Sequence, residues 1–503
     1  MRLNGLDRVI AYFDPIRAHR RARARFQTEI LSAQADYDAG GRGRRWFRGT
    51  DADQNTVLRR SLPTIRAAAR ELDRNNVYVE TANWVVTANT IGVGITPVAK
   101  HPTSKRKKQL ADRLMTDWAN STQCDFTGRH NLFGLQALAM HGESLSGESL
   151  AIRRMSRNSR LAIPLQLQLL EGDYLDHQKN QDLNGDTQVI QGVELRGGRR
   201  SRYWLFDQHP GESGRTRVTS EPVSADQVAH VYDERRIGQV RGIPRGVSVF
   251  TKVKGLDDFQ DARIEQQKIA ACLAAFITAE DESTGNMLPE KLEPGLLARL
   301  KQGEQVLFNT PPSVSGQSEF VRGEEHLIAA GWGITYESLT GDHSLVNFAS
   351  GKMGRIQMYA NINRWRKHMF IPHFCKTVER WFLAAAAFRG HDLAGVTFDW
   401  TPPKKEILDI KNEMPAIIQE VRAGGNSLSG SLRERGVSNP REMLQELAED
   451  FEFLDELGLV LDSDPRRTTR SGQLQAAATV SPNTDGDNED DNEDDDEAAG
   501  TDE

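Results

Sequence analysis

The chain has 503 residues, 38% of them hydrophobic and 27% charged, with a formal net charge of −7. That length holds about two to four domains, and the low apolar share predicts wet surface, unfolded portions or polar contacts between copies. It leaves no window for a membrane-spanning helix: the longest apolar runs, Ile269–Thr278 and Trp381–Phe388, fall short of the roughly 18 residues a span needs.

Charge is unevenly placed. Between Asp485 and Glu503 lie twelve acidic residues and no basic one, so the remainder carries +5. Arg17–Arg25 and Arg42–Arg48 concentrate positive charge near the other end, in residues that read as a basic amphipathic helix and a glycine-marked loop. A basic body with an acidic tail suits dealings with polyanions, although each run read alone is an ordinary hydrated surface. Arg2, Asp7 and Arg8 interrupt any secretory h-region, and Cys124, Cys272 and Cys375 lie far apart. Both features predict a soluble protein made in a reducing cytoplasm.

In chain order, a helix is expected from Ser61, with Ser61 as N-cap, Pro63 in the first turn and Ile65, Ala68, Ala69 and Leu72 at helical spacing. Asn75-Asn76 punctuates the chain before a second helical stretch, Val79–Asn89, closed by Gly92-Val-Gly94. Another helix follows Pro102, with an apolar stripe at Leu110, Leu114 and Trp118. Residues 148–232 read as β-rich: Leu165–Leu169 alternates with period two, and Val189–Leu195 and Tyr203–Phe206 flank Gly197-Gly198, which reads as a hairpin or a short loop. From Pro244 to about Ala279 a single long helix is expected, roughly 50 Å at 1.5 Å per residue. Its middle, Asp257–Lys268, offers only Phe259, Ala262 and Ile264 to bury, which predicts packing against copies of itself. Leu292–Leu300 reads as a helical turn and Phe320–Trp332 as a helix. Lys352–Phe388 is a long helical stretch in which Pro372 should introduce a kink or start a new helix. Helices continue from Met414 to Leu461 around Gly424-Gly425, and beyond about Asp462 the composition is that of disorder.

Enzyme signatures mostly fail. Gly142-Glu-Ser-Leu-Ser-Gly147-Glu-Ser149 has the spacing of a phosphate loop but sets Glu148 where the phosphate-binding lysine belongs. No Gly-x-Ser-x-Gly elbow exists, and Gly92-Val-Gly94 lacks the third glycine of a dinucleotide fingerprint. His368, His373 and Cys375 are close in sequence, yet no fourth ligand is near, so core or surface roles are favoured over a metal site. Glu171, Asp173 and Asp176 form a possible cation or acid–base cluster, against which a solvated strand end is the better reading. No catalytic residue, cofactor or metal site is therefore expected.

Seven motifs in order carry a family resemblance: Leu62-Pro-Thr-Ile-Arg66, Leu72-Asp-Arg-Asn-Asn76, Asn89-Thr-Ile-Gly-Val-Gly-Ile95, Leu165-Gln-Leu-Gln-Leu-Leu-Glu-Gly-Asp173, Gly238-Gln-Val-Arg-Gly-Ile-Pro244, Lys268–Phe276 and Leu339–Ser350. Together, across residues 60–390, they resemble the lambda-type portal proteins of tailed bacteriophages. Ala349-Ser350-Gly351-Lys352 departs from the family pattern, in which a second serine and an arginine tend to follow.

The resemblance implies a predominantly helical α+β fold, the phage portal fold with wing, stem, clip and crown. Its regions would be a basic arm (1–59), wing (60–243), first stem helix (244–280), clip (281–318), second stem helix (319–336), tunnel loop (337–350), long helix (351–390), helical crown (391–461) and disordered acidic tail (462–503). It also implies a homododecameric ring at one capsid vertex of the virion, assembled in the bacterial host cytoplasm. Double-stranded DNA would pass through it during packaging and ejection. The implied partners are the terminase large subunit, the major capsid or scaffolding protein and the head–tail connector, with no membrane. Gly341, Asp342, His343, Ser344, Asn347 and Ser350 would face the DNA; the absence of lysine or arginine before Lys352 fits a lining that must not grip phosphate. Two other readings compete: a metal-dependent DNA-processing enzyme using Glu171 or Asp173, and a sequence-specific DNA-binding protein, for which no compact recognition module stands out.

Overall fold

The computed structural model describes residues 52–211, 219–271, 275–278, 305–308, 317–403, 410–437, 439–461, 464, 466 and 467. The basic arm through residue 51, most of the clip, including Leu292–Leu300, and the acidic tail apart from residues 464, 466 and 467 lie outside the described residues.

Helix α1 (Gln54–Asn75) begins seven residues before the expected start, because Asp53 rather than Ser61 caps it, accepting from Asn55 N at 3.1 Å. Ser61 is buried inside the helix and donates to the Val57 carbonyl at 2.9 Å. Pro63 is tolerated in the interior because it and Arg59, whose carbonyl would have met the missing N–H, are exposed. Asn76 is a joint: its N–H closes α1 onto Leu72 O at 2.8 Å, and its side chain caps α2 (Val77–Thr90) at Tyr78 N and Val79 N.

Strand β1 (Thr96–Lys100) leads to α3 (Lys105–Asn120), where Leu114 and Trp118 are buried and Leu110 is half-buried, as the stripe predicts. After α4 (Leu132–Ser146) come β2 (Glu148–Met155) and β3 (Leu165–Glu171). A five-stranded antiparallel meander follows: β4 (Gln181–Asn184), β5 (Thr187–Ile190), β6 (Val193–Arg196), β7 (Arg199–Phe206) and β8 (Ser220–Ser224). Gly197 and Gly198 turn the β6–β7 hairpin with φ of 55° and 75°, the left-handed pair such a tight turn requires. Strand β9 (Val228–Tyr232) returns to β2, giving the order β3-β2-β9. A small core of Leu150, Ile152, Leu175, Val193, Tyr203, Leu205, Val228 and Val240 joins this sheet to the meander. The main core gathers α1–α4 with buried residues that follow between Val247 and Trp400.

The long helix is shorter than expected. Helix α5 spans Phe250–Ala271, 22 residues or roughly 33 Å at 1.5 Å per residue. Pro244–Gly246 precedes it as a turn with Gly246 at φ 68°, and the chain turns extended in β10 (Ala275–Thr278), which pairs with β11 (Gln305–Phe308). Phe276 and Ile277, read as helix, thus belong to a β-hairpin. Helix α6 (Gln317–Trp332) matches expectation. It is followed by α7 (Tyr336–Thr340), α8 (Phe348–Arg364), a π-helical stretch (Trp365–Cys375) and α9 (Lys376–Phe388). The wider turn absorbs Pro372, so the chain runs on through the proline instead of breaking.

The segment expected to be a purely helical crown opens with β12 (Thr397–Thr401), paired antiparallel with β1 in the register Ala99↔Phe398. Phe398 and Trp400 are buried there in the main core, which makes a strand of this part of 391–461. Helices α10 (Ile410–Arg422) and α11 (Leu428–Glu434) follow. Residues from Asn439 form a separate unit, in which α12 (Pro440–Glu456) carries Asp455, paired with Arg466 and Arg467. Among the described residues no helix is long and apolar enough to cross a membrane.

Candidate channel loop and its polar supports

The segment 341–350 is more ordered than its small polar residues suggest. Gly341 ends α7 in the left-handed region, φ 71°, its N–H on Glu337 O at 2.9 Å. Asn347 opens α8, its side chain accepting from Ser350 N at 2.8 Å, while Ser350 Oγ donates to Asn347 O at 3.0 Å. The irregular part is therefore Gly341–Asn347, with Phe348–Ser350 already the first turn of α8. His343 O accepts from Val346 N at 3.3 Å and closes a turn between them.

Asp342 ties the loop down. One carboxylate oxygen accepts from Ser344 N at 3.0 Å; the other accepts from Tyr336 Oη at 3.0 Å and Arg322 Nη2 at 3.2 Å. Ser344, then Tyr336 and Arg322, pull the Asp342 carboxyl down to about 2. No lysine or arginine lies between Asp342 and Lys352, but Arg322 arrives from α6 and is paired with Asp342, and Lys352 is paired with Glu413 at 2.9 Å. Leu345, Phe348, Met353 and Ile356 are 50–75% exposed, an apolar run that the subunit leaves uncovered.

The competing carboxylates do not assemble as an acid–base set. Glu171 and Asp173 both bind the Arg70 guanidinium, and His209 lies 3.5 Å from Glu171. Ligand atoms of Glu171, Asp173 and His209 come within 4.8 Å of one another, but an arginine already occupies the carboxylates. Asp176 points elsewhere, accepting from Ser220 Oγ at 2.7 Å. Cys375 is wholly buried, and burial pushes its thiol well up, away from the thiolate a metal would need; His368 and His373 face outward.

The phosphate-loop lookalike runs in the opposite structural order, helix end to strand start, and its Glu148 is sealed from water. Oε1 accepts from Arg66 Nη2 at 2.6 Å and from Arg241 Nε and Nη2 at 2.8 and 2.6 Å. Oε2 accepts from Gly242 N at 2.7 Å and lies 3.0 Å from His230 Nε2. Arg241, then Arg66, hold the Glu148 carboxyl well below its ordinary range despite burial. Burial lowers His230 to about 4, outweighing its bond to Glu148. Nearby, Arg245 grips Glu143 with two bonds of 2.8 and 2.9 Å and lies over the Trp365 ring at 4.0 Å. Sequence reading missed these ions, since the partners sit in separate elements and no local spacing links them.

The model of the family described as "Phage portal protein, lambda family" matches residues 39–366, a span that contains the loop and the whole Glu148 network. The chain belongs to the lambda family of phage portal proteins. A curated relative, the portal protein of Escherichia phage N15, is 20% identical over 488 residues, covering 84% of this chain and 91% of its own. Among solved structures, a chain from the neck of a native gene transfer agent particle is 13% identical with a TM-score of 0.44, covering 72% of this chain and 91% of that one. An HK97-family phage portal protein from Corynebacterium diphtheriae is 9% identical with a TM-score of 0.31, covering 67% and 95%. Within this portal-family chain α9, β12 and all later elements lie beyond the family match.

Proposed function

We propose that this portal-family chain is a structural, non-catalytic subunit that closes with its copies into a dodecameric ring at one capsid vertex. Double-stranded DNA is packaged and ejected through the ring, which docks the terminase large subunit, the capsid or scaffolding protein and the head–tail connector. The observation that carries the reading is helix α5. Phe250, Val253 and Leu256 are buried, but from Asp257 to Lys268 no residue is, and Ile264 is 53% exposed. That half meets the subunit through half-buried side chains such as Phe259, which packs on Phe320, and since helix stability comes mostly from packing an apolar face, a neighbouring copy across a heterologous, rotationally closed interface best supplies the rest.

DNA sliding past Gly341–Ser350 would meet Asp342 already neutralised by Arg322 and no unpaired cation in the loop, which keeps salt-dependent grip low. The Arg70 clamp on Glu171 and Asp173 speaks against the metal-dependent enzyme, and energy for translocation would come from a partner ATPase.

Native mass measurement and electron microscopy of the purified full chain test the assembly; a monomer under all assembly conditions refutes it. Removing Asp342–Phe348 should leave rings intact but impair genome packaging or retention, and normal packaging by such rings refutes the loop's role.

A further inference from the structure

The polar contacts of α6 point in two directions from one helical face. Arg322 and Tyr336 hold Asp342 of the loop, at 3.2 and 3.0 Å. One turn along, Glu325 accepts from Tyr78 Oη of α2 at 2.8 Å, and Tyr78 Oη in turn accepts from Gln260 Nε2 of α5 at 3.3 Å. His326, the next residue, stacks on the Tyr336 ring at 4.3 Å between centroids. Residues 322, 325 and 326 lie on one face at the i, i+3, i+4 spacing, so a displacement of α6 moves both attachments together. Apolar contacts alone would let the loop slide; a carboxylate held by three donors fixes its position.

We propose that α6 is a lever with two polar attachments, Tyr78–Glu325 at the α2 end and Arg322–Asp342–Tyr336 at the loop, so that the state of the first sets the position of the second. The proposal rests on the channel reading for its purpose, but its mechanics do not.

Hydrogen exchange of the full-length assembled protein, followed in peptides covering residues 341–350, tests it without any DNA. Arg322→Gln should speed exchange in His343–Val346 by about fivefold, the upper end for a partly exposed ion pair. The decisive variant is Tyr78→Phe, which removes one hydroxyl from a residue that bonds Glu325 and Gln260, lies near Tyr336 and, among the described residues, has no hydrogen bond to 341–350. It should raise loop exchange about two- to threefold, less than the direct loss at Arg322 because a single neutral hydrogen bond is modest, while α2 stays protected. Loop exchange unchanged by Tyr78→Phe overturns the lever, whatever Arg322→Gln does. Faster loop exchange with normal DNA packaging and retention supports the lever and counts instead against the loop as a channel element.

Discussion

Arg241 meets Glu148 side-on, with Nε at 2.8 Å and Nη2 at 2.6 Å from the same carboxylate oxygen, and both side chains are fully buried. The remaining guanidinium capacity goes to Gln191 O at 2.9 Å and Gly172 O at 2.7 Å, so one side chain ties β2 to the turns after β3 and β5. Without Arg241 the buried Glu148 keeps Arg66, the Gly242 N–H and His230 but loses one of its two guanidinium partners, and removing a partner from a buried ion pair costs up to about 3–5 kcal/mol. Arg241→Met is therefore expected to lower the denaturation midpoint severely. Arg241→Lys should rescue little, because a point ammonium does not reach Glu148 and two carbonyls at fixed angles. Chemical denaturation of the full chain measures both.

His230 and Glu148 set the acid response. Folded His230 stays neutral to about pH 4, whereas in the unfolded chain it takes up its proton near 6.5. The unfolded state then binds more protons in between, so this contribution is complete above pH 6.5 and declines as pH falls toward 4, by ~3 kcal/mol in all. Glu148, depressed well below 4.5, adds a second loss at pH under about 4.5, where unfolded carboxylates protonate first. Denaturation between pH 4 and 7 should show stability rising with pH for the native chain and a flatter profile for His230→Gln; identical slopes overturn the assignment.

What was legible in the sequence was what repeats locally. The stripe through Leu110, Leu114 and Trp118, the Gly197-Gly198 hairpin and the unburied middle of α5 follow from spacing alone. The start of α1 was misread because both Asp53 and Ser61 are competent caps, and the choice belongs to the residues packed around them. The β1–β12 pair escaped because its strands are some 300 residues apart and each is only five residues long. The loop was found through the motif Leu339–Ser350, but Arg322, which neutralises it, sits on another helix and carries no signature.

The motif Gly238-Gln-Val-Arg-Gly-Ile-Pro244 now has a physical reason. Gly242 takes no unusual φ, yet an added Cβ would stand 1.9 Å from Gly147 O and 2.8 Å from Glu148 Cβ, while its N–H holds Glu148. Gly242→Ala must push two backbones apart and loosen that bond at once. A loss of about 2–4 kcal/mol is expected, from a clash plus a weakened hydrogen bond to a buried charge. The same change at Gly255, inside α5 with open space around it, should stabilise by up to about 1 kcal/mol. Equal midpoints for the two variants would show that the loop around 242 adapts freely.

Ile264 separates folding from assembly. It is 53% exposed on the half of α5 that has no fully buried residue among those described, so within the subunit Ile264→Asp should shift stability by no more than about 0.5 kcal/mol. At a ring interface the same change sets a carboxylate among apolar and like-charged groups, since Asp257, Asp261 and Glu265 flank it on α5. A desolvated, unpaired charge costs roughly 1–3 kcal/mol or more at each contact, and a closed ring multiplies that by its number of interfaces. Rings should therefore give way to monomers in native mass spectra while the melting of the dissociated subunit stays put. Intact rings from Ile264→Asp would mean that this face of α5 meets water rather than a neighbouring copy.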